Sequence, residues 1–353
     1  MSKQEQRTPS RRDFLGKSVA TLLALGFGCS PKHAKGGSHT PDSNSGGNNS
    51  TIIPAQALVG IVRDADVAKA VTDAIAIVGG LPNLSGKTVL LKPNLVCTNR
   101  SPYTTGADVI GALISLAKAN GSSRVIVADR SEGRWKTVDA FAASGISAVA
   151  MQLGAELVDL GNGTFSNLKP RGATSWNNGI AYSDVVRTGI DYLINVPCCK
   201  HHLLTNYTAA IKNWMGIIGQ SSLDGRGWAH DGLASRLPEL HLGVREHLVI
   251  MDATQIALSN GPIGPGAQAS PGIIVASTDP LAVDVTAVCL LKHYLRVANI
   301  TNKDIDPYTP WEQPQIEHGM TLGIGMRARD GFKYSSQGID EISAIMTYAN
   351  TTA

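Results

Sequence analysis

From residue 57 to residue 297 the chain alternates short β-branched or aliphatic runs with longer stretches whose apolar positions recur at helical spacing. Strands are predicted at Ala57–Val62, Thr88–Leu91, Arg124–Ala128, Glu156–Leu160, Tyr192–Val196, His247–Met251 and Gly272–Ala276. Helices are predicted near Ala65–Val78, Asp108–Asn120, Thr137–Ala143, Tyr207–Ile218, Leu233–Leu242 and Pro280–Leu295, with two more, Gln313–Leu322 and Ile339–Tyr348, after the alternation ends. Runs that are apolar throughout suit strands buried on both faces, and such strands build mostly parallel sheets covered by helices on both sides. The fold class is therefore α/β. No apolar run reaches the roughly 18 residues of a membrane span, no repeat of fixed period is visible, and the 37 Gly follow no collagen-like register.

Ahead of this domain stands a different kind of sequence. Residues 1–29 have a charged start, the apolar run Val19 to Leu25 and a small-residue end at Gly26-Phe27-Gly28-Cys29. Ser10-Arg11-Arg12-Asp13-Phe14-Leu15 resembles the twin-arginine export motif, which implies passage through the membrane already folded, with the twin-arginine translocase as partner and an extracytoplasmic destination. Cys29 sits where lipoprotein signals place the acylated cysteine, which would anchor the chain to a membrane surface; the other reading is ordinary cleavage with Cys29 incidental, since Leu25 stands one place too early. Residues 30–50, rich in Gly, Ser and Asn, read as a flexible tether, and residues 51–353 as a single α/β domain with core 57–297 and a C-terminal helical extension. Five of the 31 basic residues and two of the 28 acidic ones lie in residues 1–28, so the rest carries equal numbers of each sign. With only 5% aromatic residues, it lacks the basic face and stacking platforms of a nucleic-acid binder.

In open parallel sheets ligands bind outside the carboxyl ends of the strands, so the residues just past each strand are the ones to inspect. They are polar here: Lys92-Pro93-Asn94, Asp129-Arg130-Ser131-Glu132, Pro197 to His202, Asp252, and Ser277-Thr278-Asp279-Pro280. The last also reads as a helix N-terminus with proline in the first turn. Brought to one edge, these loops would form a cleft holding lysines, an asparagine, a histidine pair and three aspartates.

Lys92-Pro93-Asn94-Leu95, Asn195-Val196-Pro197 with Lys200 and His202, Lys212-Asn213 with Gly216, and Ser277-Thr278-Asp279-Pro280 with Asp284 resemble, in the family's order, domain-of-unknown-function family 362. Many members carry a ferredoxin-like cysteine module, and this chain has none. The resemblance supplies no agreed reaction, and within the His201-His202 pair it favours His202.

Three lysines facing one cleft, Lys92, Lys200 and Lys212, would hold a carboxylate or phosphate, and desolvation could lower one pKa enough for a general base or a Schiff base. The alternative is that each ammonium rests on a carboxylate such as Asp129 or Asp252. The expected ligand contacts are Lys92, Asn94, Asp129, Asn213, Asp252 and Asp279; Lys200, His202 and Lys212 are the expected catalytic groups. His202 with His230 and one aspartate would suit a divalent metal, although no compact ligand spacing supports it. His241, His247, His293 and His318 read as helix-surface or strand-edge residues. Cys97, Cys198, Cys199 and Cys289 contain no CxxC spacing, against a cysteine-ligated cluster, and no GxSxG, Walker or HExxH motif occurs. The leading expectation is an exported protein binding, and acting on, a small anion. A metal- or redox-cofactor protein loaded before export and a non-catalytic envelope binding or assembly protein stand beside it.

Overall fold

All seven apolar runs become strands of one sheet. The computed structural model describes residues 56–176, 178–219 and 232–350; the leader, the tether, Cys29, the Gly225 to Trp228 loop and His230 lie outside the described residues. In chain order the strands are β1 (Ala57–Arg63), β2 (Thr88–Pro93), β3 (Arg124–Asp129), β4 (Glu156–Asp159), β5 (Phe165–Leu168), β6 (Ile180–Ser183), β7 (Tyr192–Val196), β8 (Cys198–His202), β9 (Asn206–Thr208), β10 (Leu248–Ala257), β11 (Gln268–Ala269), β12 (Ile273–Ser277) and β13 (Phe332–Gln337). The helices are α1 (Val67–Ile77), α2 (Ala107–Ala119), α3 (Thr137–Ser144), α4 (Ile146–Gln152), α5 (Asp184–Arg187), α6 (Ala210–Asn213), α7 (Leu233–Arg236), α8 (Pro280–Val297), α9 (Pro314–Leu322) and α10 (Ile342–Asn350).

The main sheet runs β13-β1-β12-β10-β7-β2-β3-β4. From β10 to β4 every pairing is parallel. Strand β12 runs against both its neighbours, with Val249 opposite Ser277 and Gly60 opposite Ala276. Its carboxyl end therefore lies beside the beginning of β10, at the opposite edge from the ends of β2, β3 and β7. Successive side chains on a strand face opposite ways, and the core divides accordingly. Leu90, Val249 and Met251 face a cluster built with α6, α8, α9 and α10, whereas Val89, Leu91, Leu248 and Ile250 face one built with α1, α2, α3 and α4. Helix α8 is buried almost all round, from Pro280 through Leu291. Each fully buried Leu, Ile or Val stabilises the fold by roughly 1.5–3 kcal/mol.

Several expectations change, among them the helix Leu233–Leu242, of which only Leu233–Arg236 is α-helical and Leu237–Leu242 is a 3-10 turn. Tyr207–Ile218 is not one helix: Asn206–Thr208 pairs with β8, α6 spans four residues, and a 3-10 turn, Trp214–Ile217, follows. The segment after β7 is not a bare loop, because beyond Pro197 the chain resumes as β8. The C-terminal extension is not purely helical either, since β13 adds a parallel edge strand to β1. Its Lys333, Tyr334 and Ser335 are exposed, so it lacks the apolar run that marks the inner strands.

Candidate functional site

Lys92 is opposite Asn195 in the β2–β7 register, so both side chains leave the sheet on the face covered by α6 and α8. Pro93 closes β2 and frees the chain to turn at Asn94. From these positions, with α6 laid across them, a continuous polar group forms at the carboxyl edge of the parallel strands.

Its hub is Asn213, the last residue of α6. Asn213 Nδ2 donates to Asn195 Oδ1 (2.8 Å) and to the Lys92 carbonyl (3.1 Å). Asn213 Oδ1 accepts from Asn94 Nδ2 at 3.1 Å and from Lys92 Nζ at 3.5 Å. Asn94 Oδ1 in turn accepts from Lys200 Nζ at 2.8 Å, and the Tyr103 carbonyl accepts a second bond from the same ammonium. Behind the hub, Asn195 Nδ2 donates to the Ala210 carbonyl and to Glu246 Oε1, both at 3.1 Å, and Glu246 Oε2 is 3.1 Å from His241 Nδ1.

The three lysines occupy three different electrostatic states. Lys92, fully buried, lies 2.6 Å from Asp129 Oδ1, whose carboxylate also accepts the backbone N–H groups of Leu95 and Arg130. Burial still pulls the Lys92 pKa below the usual lysine range against the pull of Asp129. Lys200 is equally buried but has only neutral oxygens as acceptors, and burial lowers its pKa too. Lys212 is partly exposed and makes no hydrogen bond or ion pair among the described residues. Burial, with Lys200 and Lys92 adding their repulsion, brings it down to about 8.

His202 lies on β8, two residues from Lys200. Burial, then the charges of Lys212, Lys200 and His201, hold its pKa well below the ordinary histidine value, so the ring is neutral at pH 7. Its Nδ1 accepts from the Leu204 backbone N–H at 3.1 Å, which fixes the proton on Nε2. Gly216, in the turn after α6, packs directly over the ion pair. A Cβ there would stand 1.9 Å from Asp129 Oδ1 and 2.8 Å from Lys92 Nζ, so only glycine fits.

The structure thus brings Lys92, Asn94, Asp129, Asn213 and Lys200 into one hydrogen-bonded group, with Lys212 and His202 coupled to it by charge. Because Lys92 and Lys200 are sealed, the group is a buried polar core, not the open cleft expected; Lys212, Met215 and Gly216 form its partly exposed side. Asp252 lies at the same edge but projects from the other face of the sheet, with Ile250 and Ile274, and touches no lysine. Its Oδ2 accepts the Gly106 N–H at the start of α2, and its Oδ1 accepts Thr254 N–H and Oγ1. Burial raises its pKa.

Asp279 is not brought to this group. The antiparallel direction of β12 carries it to the opposite edge, where it caps α8 through the N–H groups of Leu281 and Ala282 and also accepts that of Met326. His241 is likewise corrected: it is buried, hydrogen bonded to Glu246 and tilted against Trp214 with ring centroids 5.2 Å apart. The sequence marks Glu246 and Tyr103 weakly, because neither lies at the end of an apolar run. The four described cysteines are buried and free. Among the described residues no three His, Cys, Asp or Glu side chains form a group able to hold a metal.

The family model described as domain of unknown function, DUF362, matches residues 89–289, a span that runs from β2 into α8 and contains the whole polar group. The chain belongs to this family. Searches of the curated proteins and of the solved structures find no match.

Proposed function

We propose that the polar group at the carboxyl edge of the sheet binds a small anionic ligand, with Lys212 and Lys200 supplying positive charge, His202 an N–H donor and Asn213 the rigid base. The observation that carries this reading is the charge balance. Asp129 is already engaged by Lys92, while Lys200 rests on neutral oxygens and Lys212 has no partner among the described residues. Burying an ammonium without a counter-charge costs several kcal/mol, and a bound anion would offset that cost. The same surplus of positive charge disfavours a divalent cation at His202, which sets the metal reading behind this one.

Lys200→Ala tests the reading. Affinity of the full chain for glycolate should fall by about tenfold or more, the effect of removing a buried positive charge near the anion, while Lys69→Ala on the surface of α1 leaves it within about twofold. Equal effects would remove the anion site. The leader supports the further proposal that the protein is exported by the twin-arginine route and held at a membrane through Cys29. Replacing Arg11 and Arg12 together by lysine should then strand it in the cytoplasm, and unchanged fractionation would overturn that part.

A further inference from the structure

We infer that Lys212 is an amine nucleophile and that the anion it serves is a 2-oxo acid, whose carboxylate meets the fixed positive charge while its carbonyl carbon condenses with Lys212 Nζ. This rests on the anion-binding reading and assigns a chemical class to that ligand. The three ammonium groups are not equivalent. Lys92 is committed to Asp129, and Lys200 is pinned between Asn94 and Tyr103, so neither is available to attack. Lys212 is the one of the three that is partly exposed and without a hydrogen-bond partner among the described residues.

Its setting eases loss of the ammonium proton, burial contributing most and like charge adding to it. Two lysines act on it with like charge, the arrangement that activates an amine for imine formation by making its proton easier to lose. Its backbone is held by α6, whose C-terminal Asn213 is tied to Asn94, Asn195 and the Lys92 carbonyl, and the flanking Ile211 and Trp214 are buried. The reaction needs no oxidant. The nitrogen lone pair forms the N–C bond, the carbonyl electron pair moves to oxygen, and a proton passes from nitrogen to that oxygen to give a carbinolamine. Loss of the hydroxyl with the second nitrogen proton, as water, leaves the imine. Neutral His202, with its proton on Nε2 and no other hydrogen bond from that atom among the described residues, supplies an N–H donor to polarise the carbonyl oxygen.

The test is reductive trapping on the full chain with glyoxylate, the smallest 2-oxo acid, and sodium borohydride, read by intact mass and peptide mapping. Binding of glycolate, which lacks the carbonyl, is measured in parallel by calorimetry. One carboxymethyl group per chain on Lys212, absent in Lys212→Arg and suppressed by excess glycolate, is the expected result. Saturable glycolate binding with Lys212 unmodified, or modified no faster than surface lysines, would overturn the amine role and leave the anion site standing. Neither trapping nor glycolate binding would overturn both.

Discussion

Three lysines within one polar group carry three different costs, and single substitutions should separate them. Lys92 and Asp129 form a buried pair, so Lys92→Met leaves a carboxylate buried without its counter-ion and should destabilise the fold by about 3–5 kcal/mol. Lys212 stands in the opposite position. Its pKa of about 8 lies below the usual lysine value of 10.5, so the folded state holds a disfavoured ammonium below pH 8, and stability is regained as pH rises from 8 to 10.5. Lys212→Met should therefore raise the melting temperature at pH 7 and abolish that alkaline gain; a melting temperature that falls as it does for Lys92→Met would contradict the assignment. Strand-end reasoning found Lys92, Asn94, Asp129 and Lys200, because each follows an apolar run that could be read directly, whereas Lys212 and Asn213 lie in a predicted helix and entered through the family resemblance. Strand-end reasoning also included Asp279, for which the residues look the same and only the strand direction differs. His241 was misplaced because Leu233–Leu242 shows helical spacing but folds as α7 and a 3-10 turn, which rotates the ring inward.

At the scale of elements, a four-residue helix cannot be stable by itself, and α6 is held by α8. Asp284 of α8 accepts the backbone N–H groups of Ala210 (2.7 Å) and Ile211 (3.3 Å) at the start of α6, and the Tyr207 hydroxyl at 2.8 Å. Burial, only partly offset by these donors, pushes its carboxyl up to about 7. A folded pKa above the unfolded value of 3.8 means the contribution is full below about pH 4 and is lost as pH rises through 7. Asp284→Asn keeps an acceptor for the two N–H groups and does not titrate. Urea unfolding should show the wild type losing stability relative to Asp284→Asn between about pH 4 and 7, and a pH-independent difference would show that Asp284 does not titrate there. The helical period of Tyr207–Ile218 hid this arrangement. The spacing is real, but Tyr207 and Thr208 pair with β8, and Gly216 must approach the Lys92–Asp129 pair too closely for a regular helix to continue with a side chain there.

Across the whole molecule, the local pattern carried the fold class and seven of the strands, because apolar runs and helical spacing are properties of short windows. What it left out depends on distant pairings. The reversal of β12 moves one of five candidate loops to the far edge, and β13 joins β1 from more than 260 residues away with a mostly polar sequence. The result is a sheet whose parallel half gathers one polar group at its carboxyl edge and whose antiparallel strand feeds α8, the helix that holds that group in place. The central claim is that this group binds an anion, and the most direct test is an anomalous difference map from crystals of the full chain soaked in selenate. The account predicts a selenium peak within hydrogen-bonding reach of Lys212 Nζ, lost in Lys212→Met crystals. Selenate bound elsewhere on the surface, with none beside Lys212 or Lys200, would contradict it.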